Sequence, residues 1–363
     1  MRYSIVLSYA GAGFCGWQRQ PSAPSVQECL EDALGKLLGG EVPVIGAGRT
    51  DTDVNAIGYV ACFDGPEGLA ADDFCYKLNA ILPHSVVVSC VVPAAPDFHA
   101  RFDAVRREYT YFLHRCKDPF VEAFSWQCGY PGLSFEAMNE AATALLGTHD
   151  FSCFEKVGAD NKTSVCTVFE AYWAPYVPTH ASICGGAAPK SPAAPGLPTS
   201  PSSGSVPSSA VHAEACNRFA PGTTPPNAPA HDGSLPHTPV IPSEAKEPNY
   251  WYFRISADRF LRNMVRAIVG TLIEVGRGKR SPDDFAGLIL PVDLPGQGSP
   301  SANFEGALPP NTPRSSQATD IACNAGSVPP SAGRSEDRHE PSRRSLAGES
   351  VPGHALFLSK VEY

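Results

Sequence analysis

The residues with the clearest capacity for chemistry lie in one short stretch of the N-terminal third. Residues 46–56 read GAGRTDTDVNA, so that two glycines precede Arg49 and a carboxylate, Asp51, follows two positions later. In a strand-like segment, positions 49, 51 and 53 project to the same side. A guanidinium close to a carboxylate favours its ionised form. An ionised and positioned aspartate can act as a nucleophile, a general base or a metal ligand.

Two other interpretations of this stretch stay open at this point. One is a purely structural bridge between Arg49 and Asp51 across a turn. The other is a divalent cation site, because Asp51 and Asp53 form a D-x-D pair like the one that holds a cation in nucleotide-sugar transferases. No histidine or further acid stands nearby in the sequence, which makes the metal interpretation the weaker one.

Two further clusters combine arginines with aromatic residues. The first is FHARF at 98–102, followed by RREYTY at 106–111. Aromatic rings between arginines suit a base stacked between phosphate contacts, although a half-buried strand with core aromatics has the same pattern. The second is FLRNMVR at 260–266, where Arg259, Arg262 and Arg266 are predicted to line one edge of a helix. A basic, solvated helix edge is the alternative there.

Hydrophobic periodicity predicts the elements that must position these clusters. Ser25 and Glu28 form a capping-box pattern at the start of a helix that Gly39 ends. The longest apolar helical stripe covers 260–275, with Gly276 as the stop. A third helix is predicted over 135–146. Alternating or continuous apolar runs predict the strands. The predicted strands are 3–9, 57–63, 85–92, 106–113, 164–172, 251–255 and 355–363. Strands outnumber helices and no regular βαβ repeat is present, which predicts an α+β fold with largely antiparallel sheets.

Proline is distributed unevenly along the 363 residues. Of 36 prolines, 15 fall within 177–248 and 9 within 291–341. Chain of this composition buries too little apolar surface to offset its ordering entropy. We therefore interpret both windows as disordered, Pro-rich insertions in surface loops. The 240 residues that remain are enough for one or two packed cores.

Charge is segregated along the chain. The net charge of −9 argues against a uniformly basic nucleic-acid coat. Residues 98–117 nevertheless carry five Arg and Lys against two acids, and residues 249–280 carry seven against two. The twelve cysteines include no C-x-x-C pair, and the N-terminus lacks a secretory signature. No apolar run approaches the ~18–20 residues of a spanning helix. The expected location is the cytoplasm.

Taken together, these motifs resemble those of the tRNA pseudouridine synthase A family. GWQRQ at 16–20, FHARF at 98–102 and the pair Tyr109 and Tyr111 match the family's segments directly. RTDTDVNA at 49–56 matches its R-T-D-x-G-V-H-A signature. HDFSCF at 149–154, FLRNMVRAIVG at 260–270 and VPGHALFL at 351–358 match its H-D-F-x-x-F, F-x-x-x-M-V-R-x-I-V-G and A-P-x-H-G-L-x-L segments.

The resemblance implies two similar α/β subdomains around a central cleft, with residues 1–103 carrying the catalytic loop and residues 104–363 forming the second subdomain. It implies isomerisation of uridine to pseudouridine at positions 38, 39 and 40 of the tRNA anticodon stem-loop. No cofactor and no metal are expected. The protein is expected to be a homodimer whose partner is tRNA.

The same resemblance implies the site residues. Asp51 is the catalytic carboxylate, and attack on the base and attack on the ribose both remain open. Arg266 is expected to pair with Asp51, and Tyr109 to lie against the flipped uracil. Arg49 is expected to fill the vacated position in the stem. A separate pair, Arg101 and His99, is expected to line the path of the RNA backbone.

The sequence departs from the family pattern in three places. Asp53 stands where the family has glycine, Asn55 where it has histidine, and Ala355 where it has glycine. Glycine at position 53 would supply a positive φ or a close approach to the RNA. Asn55 keeps a hydrogen-bonding side chain but cannot become cationic. A catalytically weakened RNA-binding or tRNA-folding protein on the same scaffold is therefore the alternative function.

Overall fold

The computed structural model of the protein describes residues 1–158, 162–179, 248–292 and 343–363. The two Pro-rich windows predicted as insertions, 177–248 and 291–341, lie almost entirely outside the described residues. Everything below concerns the described parts of the chain.

Eleven strands and five helices make up these parts. The strands are β1 (Arg2–Tyr9), β2 (Ile45–Gly46), β3 (Asn55–Asp64), β4 (Val86–Pro93), β5 (Arg106–His114), β6 (Trp126–Gln127), β7 (Gly147–Asp150), β8 (Val165–Pro175), β9 (Tyr250–Ala257), β10 (Leu290–Pro291) and β11 (Leu356–Glu362). The helices are α1 (Val26–Leu38), α2 (Ala71–Ile81), α3 (Phe135–Ala142), α4 (Met264–Gly276) and α5 (Pro282–Ala286).

The strands form one mixed, mostly antiparallel sheet. Its order is β10-β7-β8-β9-β5-β11-β3-β1-β4, with β2 on β3 and β6 on β5. The C-terminal strand β11 lies between the two halves, antiparallel to β5 and parallel to the start of β3 through Phe357 and Leu358. The α+β class with a largely antiparallel sheet is thereby confirmed, while the division at residue 103 stays a prediction.

One face of the sheet is buried from β4 at one edge through to β8, whereas β7 and β10 at the other edge contain no buried residue. Strand alternation puts Tyr3, Ile5 and Leu7 on this face beside residues of β3, and the same face continues through Tyr111 and Phe253. The buried residues of α1 to α5 belong to the same hydrophobic cluster. Because all five helices contribute to this one core, the site described below rests on a rigid, two-layer support.

Local signals explain where the first helix begins and ends. The Ser25 hydroxyl accepts a hydrogen bond from Glu28 N at 3.3 Å, as the capping pattern predicts. Gly39 ends α1 in the left-handed conformation at φ 78°, which only glycine adopts without cost. The strands predicted at both ends of the chain are also present, as β1 and β11.

Two expectations from the sequence were wrong in detail, and helix α2 was not predicted. The long helix begins at Met264 and not at residue 260, because Asn263 adopts a left-handed φ of 65° just before it. Residues 49–53 are not strand-like but form a loop between β2 and β3. Helix α2 was missed because its N-cap residue, Ala70, has no capping side chain and only two of its residues are buried.

Among the described residues, no helix is long and apolar enough to cross a membrane.

Candidate active site

The loop that carries Asp51 is held by its backbone and by its neighbour Thr50. The Thr50 hydroxyl lies 2.9 Å from the Tyr9 hydroxyl in the core, and the Thr50 carbonyl accepts from Trp17 N at 3.2 Å. Val54 N donates to the carbonyl of Asp51 at 3.2 Å and closes a turn. These bonds use main-chain groups on both sides of Asp51 and leave its carboxylate 26% exposed.

Two glycines make room for this loop. A Cβ on Gly16 would lie 2.2 Å from the Thr50 carbonyl oxygen, and Gly16 itself has a φ of 87°. A Cβ on Gly353 would lie 2.4 Å from the Thr52 carbonyl oxygen. Any larger residue at these positions would displace the loop. The segments around 16–20 and 351–358 thus pack directly against the loop that carries Asp51, and the position of that loop depends on them.

The basic partner of Asp51 is Arg262. Its Nε lies 3.7 Å from Asp51 Oδ1, and its side chain is 53% exposed. The sequence-based pairing of Asp51 with Arg266 is therefore corrected. Arg266 Nε instead donates to the carbonyl of Val351 at 2.6 Å, and Val351 N donates back to the carbonyl of Arg266 at 3.3 Å.

The position at which α4 begins explains why Arg262, and not Arg266, pairs with Asp51. Because the helix begins after Asn263, Arg262 lies in the preceding turn and not on the edge of the helix with Arg266. The Asn263 amide donates to the hydroxyl of Ser350 at 2.6 Å, which fixes the turn against the C-terminal segment. The turn directs Arg262 toward Asp51, while Arg266 holds the segment at 350–351.

Tyr109, which the sequence predicted to lie against the flipped uracil, is close enough to Asp51 for the charge of that carboxylate to act on its phenol. The ring is buried, and burial together with the charge of Asp51 raises the pKa of its phenol well above the ordinary value. The ring of Phe260 meets it edge-on with centroids 5.0 Å apart. Tyr109 consequently keeps its phenol proton at any physiological pH.

Arg107 connects the segments around the cleft, a role that the sequence did not reveal. Its Nη2 donates to the carbonyls of Ala47 at 3.0 Å and Arg101 at 2.6 Å, and its Nη1 donates to the carbonyl of Asp258 at 2.7 Å. Burial lowers the pKa of this guanidinium. The planar fork of arginine suits several carbonyls at once. The sequence showed two adjacent arginines, Arg106 and Arg107. Nothing in it indicated that Arg107 is the one that binds several backbone carbonyls.

The other predicted RNA contacts lie on the surface near these segments. Arg49 is exposed at the start of the catalytic loop, two residues after Ala47. His99 and Arg101 lie in a turn at 98–103, where His99 Nδ1 accepts from Arg101 N at 3.2 Å. Because Arg107 binds both Ala47 and Arg101 through one nitrogen, the structure brings this turn next to the segment that leads into the Asp51 loop.

The departures at positions 53, 55 and 355 have structural explanations. Asp53 has a φ of 64°, the left-handed conformation that glycine adopts most easily. Asn55 is buried; its side chain accepts from Gly11 N at 2.8 Å and donates to the His354 carbonyl at 2.7 Å. Ala355 is fully buried in the core. The fold thus accommodates Asp53, Asn55 and Ala355 at these three positions.

The D-x-D pair of Asp51 and Asp53 is the sequence feature that raised the metal interpretation. In residues 1–158, 162–179, 248–292 and 343–363, no group of three or more His, Cys, Asp or Glu side chains is arranged to hold a metal ion. The expectation that no metal takes part stays a prediction.

Known proteins resemble this chain over most of its length. A family model described as tRNA pseudouridine synthase matches residues 5–103 and 141–307. The tRNA pseudouridine synthase A of Bacteroides fragilis is 34% identical over all of this chain and 96% of its own length. That of Porphyromonas gingivalis is 36% identical over all of this chain and 97% of its own. That of Geobacter sp. is 29% identical over 80% of this chain and 89% of its own.

Proposed function

The chain belongs to the tRNA pseudouridine synthase family, and we propose that it isomerises uridine to pseudouridine in the tRNA anticodon stem-loop with Asp51 as the nucleophile. Members of this family are isomerases that act on tRNA uridine. The observation that carries the proposal is the position of Asp51, whose partly exposed carboxylate lies 3.7 Å from the Arg262 guanidinium and close enough to the buried Tyr109 phenol to raise its pKa.

The chemistry needs one positioned carboxylate and little else. The bond between N1 of uracil and C1′ of the ribose breaks, the uracil turns, and C5 bonds to C1′. C5 then loses its hydrogen and N1 carries one, so that no atom is gained or lost overall. Asp51 as an ionised nucleophile holds the detached part of the substrate covalently between these steps. Arg262 orients the carboxylate, and Tyr109 packs against the uracil.

The target base must leave its stack before Asp51 can reach it, which costs a few kcal/mol. Arg49, exposed at the start of the catalytic loop, is suited to occupy the vacated place and to contact phosphate. Arg266 acts less directly, because it holds the C-terminal segment that packs against the loop. Arg101 and His99 lie along the path of the RNA backbone.

The substrate, assembly and location follow from the same premise. Positions 38, 39 and 40 of the anticodon stem-loop are the proposed targets, and a homodimer in the cytoplasm is the proposed working form. The concentration of basic residues in 98–117 and 249–280, on a chain of net charge −9, supports an RNA surface confined to one region.

The test uses unmodified tRNA transcripts that carry uridine at only one of positions 38, 39 and 40. Purified protein should convert each of them, and pseudouridine is mapped by carbodiimide modification followed by primer extension. A transcript with cytidine at all three positions is the control and should stay unmodified. Conversion only at other positions would overturn the proposed target. RNA binding without any conversion would favour the alternative, a binding protein on the same scaffold, which the substitutions at 53 and 55 keep in consideration.

A further inference from the structure

Phe102 is an exposed aromatic residue that the mechanism above does not use. Its side chain is 75% exposed, although its neighbour in the FHARF motif, Phe98, packs against Tyr363 with ring centroids 5.2 Å apart. Exposing a whole phenylalanine ring to water is unfavourable. A single exposed ring is nevertheless common on protein surfaces, so the surroundings of Phe102 decide whether it has a role.

The immediate surroundings of Phe102 make it a platform and not a loose side chain. The His99 ring lies against it with centroids 4.3 Å apart and planes inclined by 32°. The guanidinium of Arg101 lies 5.7 Å from its centroid. The turn is closed by Phe102 N, which donates to the carbonyl of His99 at 3.1 Å.

The turn is also tied to the active site through its backbone. Tyr363 donates from its hydroxyl to the carbonyl of Ala100 at 2.7 Å. Arg107 holds the carbonyl of Arg101 and, through the same nitrogen, the carbonyl of Ala47 at the base of the catalytic loop. A ligand on Phe102 would therefore be held at a fixed position relative to Asp51.

We propose that Phe102 is a stacking platform for a nucleobase of the RNA substrate other than the uridine that is isomerised. The proposal rests on the proposed function and adds a residue that positions the RNA. A nucleobase fits better than an apolar protein side chain, because arginine and imidazole groups surround the ring and would contact the neighbouring phosphates. Stacking is tolerant of base identity, so that one platform serves different tRNAs.

The experiment measures RNA binding and turnover for three substitutions at this position, together with a matched control. Phe102→Ala removes the ring, Phe102→Leu keeps apolar volume without a π face, and Phe102→Trp keeps the π face. Phe120→Ala is the control, because Phe120 is 78% exposed and lies in a different loop. Each variant is titrated with an anticodon stem-loop RNA and assayed for pseudouridine at saturating RNA.

The Ala and Leu variants are both expected to weaken RNA binding by about 5- to 100-fold, with kcat at saturating RNA within about threefold of wild type. The Trp variant and Phe120→Ala are expected to bind like wild type. In a set of stem-loops with 2-aminopurine placed singly at non-target positions, one position should be quenched by wild type and by Phe102→Trp but not by Phe102→Ala.

Wild-type affinity for both Phe102→Ala and Phe102→Leu would overturn the platform. Weakening by Phe102→Ala alone would also overturn it, because it would indicate an apolar contact without stacking. If Phe120→Ala weakened RNA binding equally, the assignment of the platform to Phe102 would be overturned. If wild-type protein binds RNA but forms no pseudouridine, the proposed function fails, while the binding and fluorescence measurements still test the platform.

Discussion

At the scale of single residues, the carboxylate of Asp51 has two neighbours that differ in charge and burial. One is the exposed guanidinium of Arg262 at 3.7 Å, and the other is the buried, neutral phenol of Tyr109. An exposed ion pair contributes little to stability. The pair is therefore expected to matter for the orientation of Asp51 and not for the folding of the chain.

The first prediction concerns this ion pair. Arg262→Ala should lower kcat for pseudouridine formation on the order of 10- to 100-fold, because small displacements of a reacting group carry costs of that size. The change in KM should be smaller, and Arg262→Lys should restore part of kcat. Arg259→Ala, a basic neighbour, is the control and should keep kcat near wild type. Normal kcat in Arg262→Ala together with a large loss in Arg266→Ala would instead restore Arg266 as the partner of Asp51.

The second prediction concerns Asp53 and its left-handed backbone. A residue with a Cβ pays roughly 1–2 kcal/mol for this conformation, and aspartate less than most. Asp53→Gly should be at least as stable as wild type, whereas Asp53→Ala should lose about 1 kcal/mol relative to Asp53→Gly. Urea unfolding measures both free energies. Equal stability of the Gly and Ala variants would show that the φ of 64° carries no strain.

At the scale of elements, Asn55 connects three separate parts of the chain. Its buried amide binds Gly11 N after β1 and the carbonyl of His354 before β11, while its own backbone begins β3. The loop with Asp51 lies directly before it. The position of that loop therefore depends on the packing of strands that are distant in sequence.

The third prediction follows from this connection. Asn55→Ala leaves two buried main-chain groups without their partner, which should lower the free energy of unfolding by about 1–3 kcal/mol and lower kcat as well. Denaturant titration and the pseudouridine assay measure the two effects. Asn79→Ala is a matched control, because the Asn79 amide also bridges backbone groups, at Val88, but far from the loop. That variant should lose stability without a specific loss of kcat. Equal losses of kcat in the two variants would contradict the positioning role of Asn55.

Comparison of elements shows what the sequence could predict here and what it could not. Strands with clear alternation, such as β1 and β11, and the capped helix α1 were predicted, because period and capping are local properties. The predicted start of α4 was wrong, because the left-handed Asn263 interrupts an apolar stripe that is otherwise continuous.

The same limit applies to the site. Asp51, Tyr109 and the FHARF turn were predicted from motifs, and Arg107 links that turn to Ala47, near the start of the loop that carries Asp51. The exchange of Arg262 for Arg266 was not predictable, since it depends on which of two arginines four positions apart reaches Asp51. Arg107 was missed because its four acceptor carbonyls come from segments near 47, 101–104 and 258, which no local pattern connects.

At the scale of the whole molecule, the described strands form one sheet. The residues that flank the first Pro-rich window lie side by side in it. Strands β8 and β9 pair side by side through Pro175 and Trp251, and Tyr176 N donates to the carbonyl of Tyr250 at 3.0 Å. The chain thus leaves and re-enters the sheet at adjacent points, although many residues separate them in sequence.

The fourth prediction is that this window can be removed. Fusing Thr179 directly to Pro248 leaves 177–179 and 248–249 as the connection, a length common in hairpins. Stability should be unchanged or raised by on the order of 1–2 kcal/mol, because a shorter loop costs less closure entropy. Turnover should stay within about twofold of wild type. Failure of the shortened protein to fold, or a large loss of turnover with a normal fold, would show that the window is more than a spacer.

The central claim is that Asp51 performs the chemistry and does not merely bind RNA. The most direct measurement compares wild type, Asp51→Asn and Asp51→Ala for pseudouridine formed in an unmodified tRNA and for affinity for the same tRNA. Both variants are expected to bind within about tenfold of wild type and to form no pseudouridine above background, because neither side chain can act as a carboxylate nucleophile. Pseudouridine formation by either variant at a rate near wild type would contradict the account.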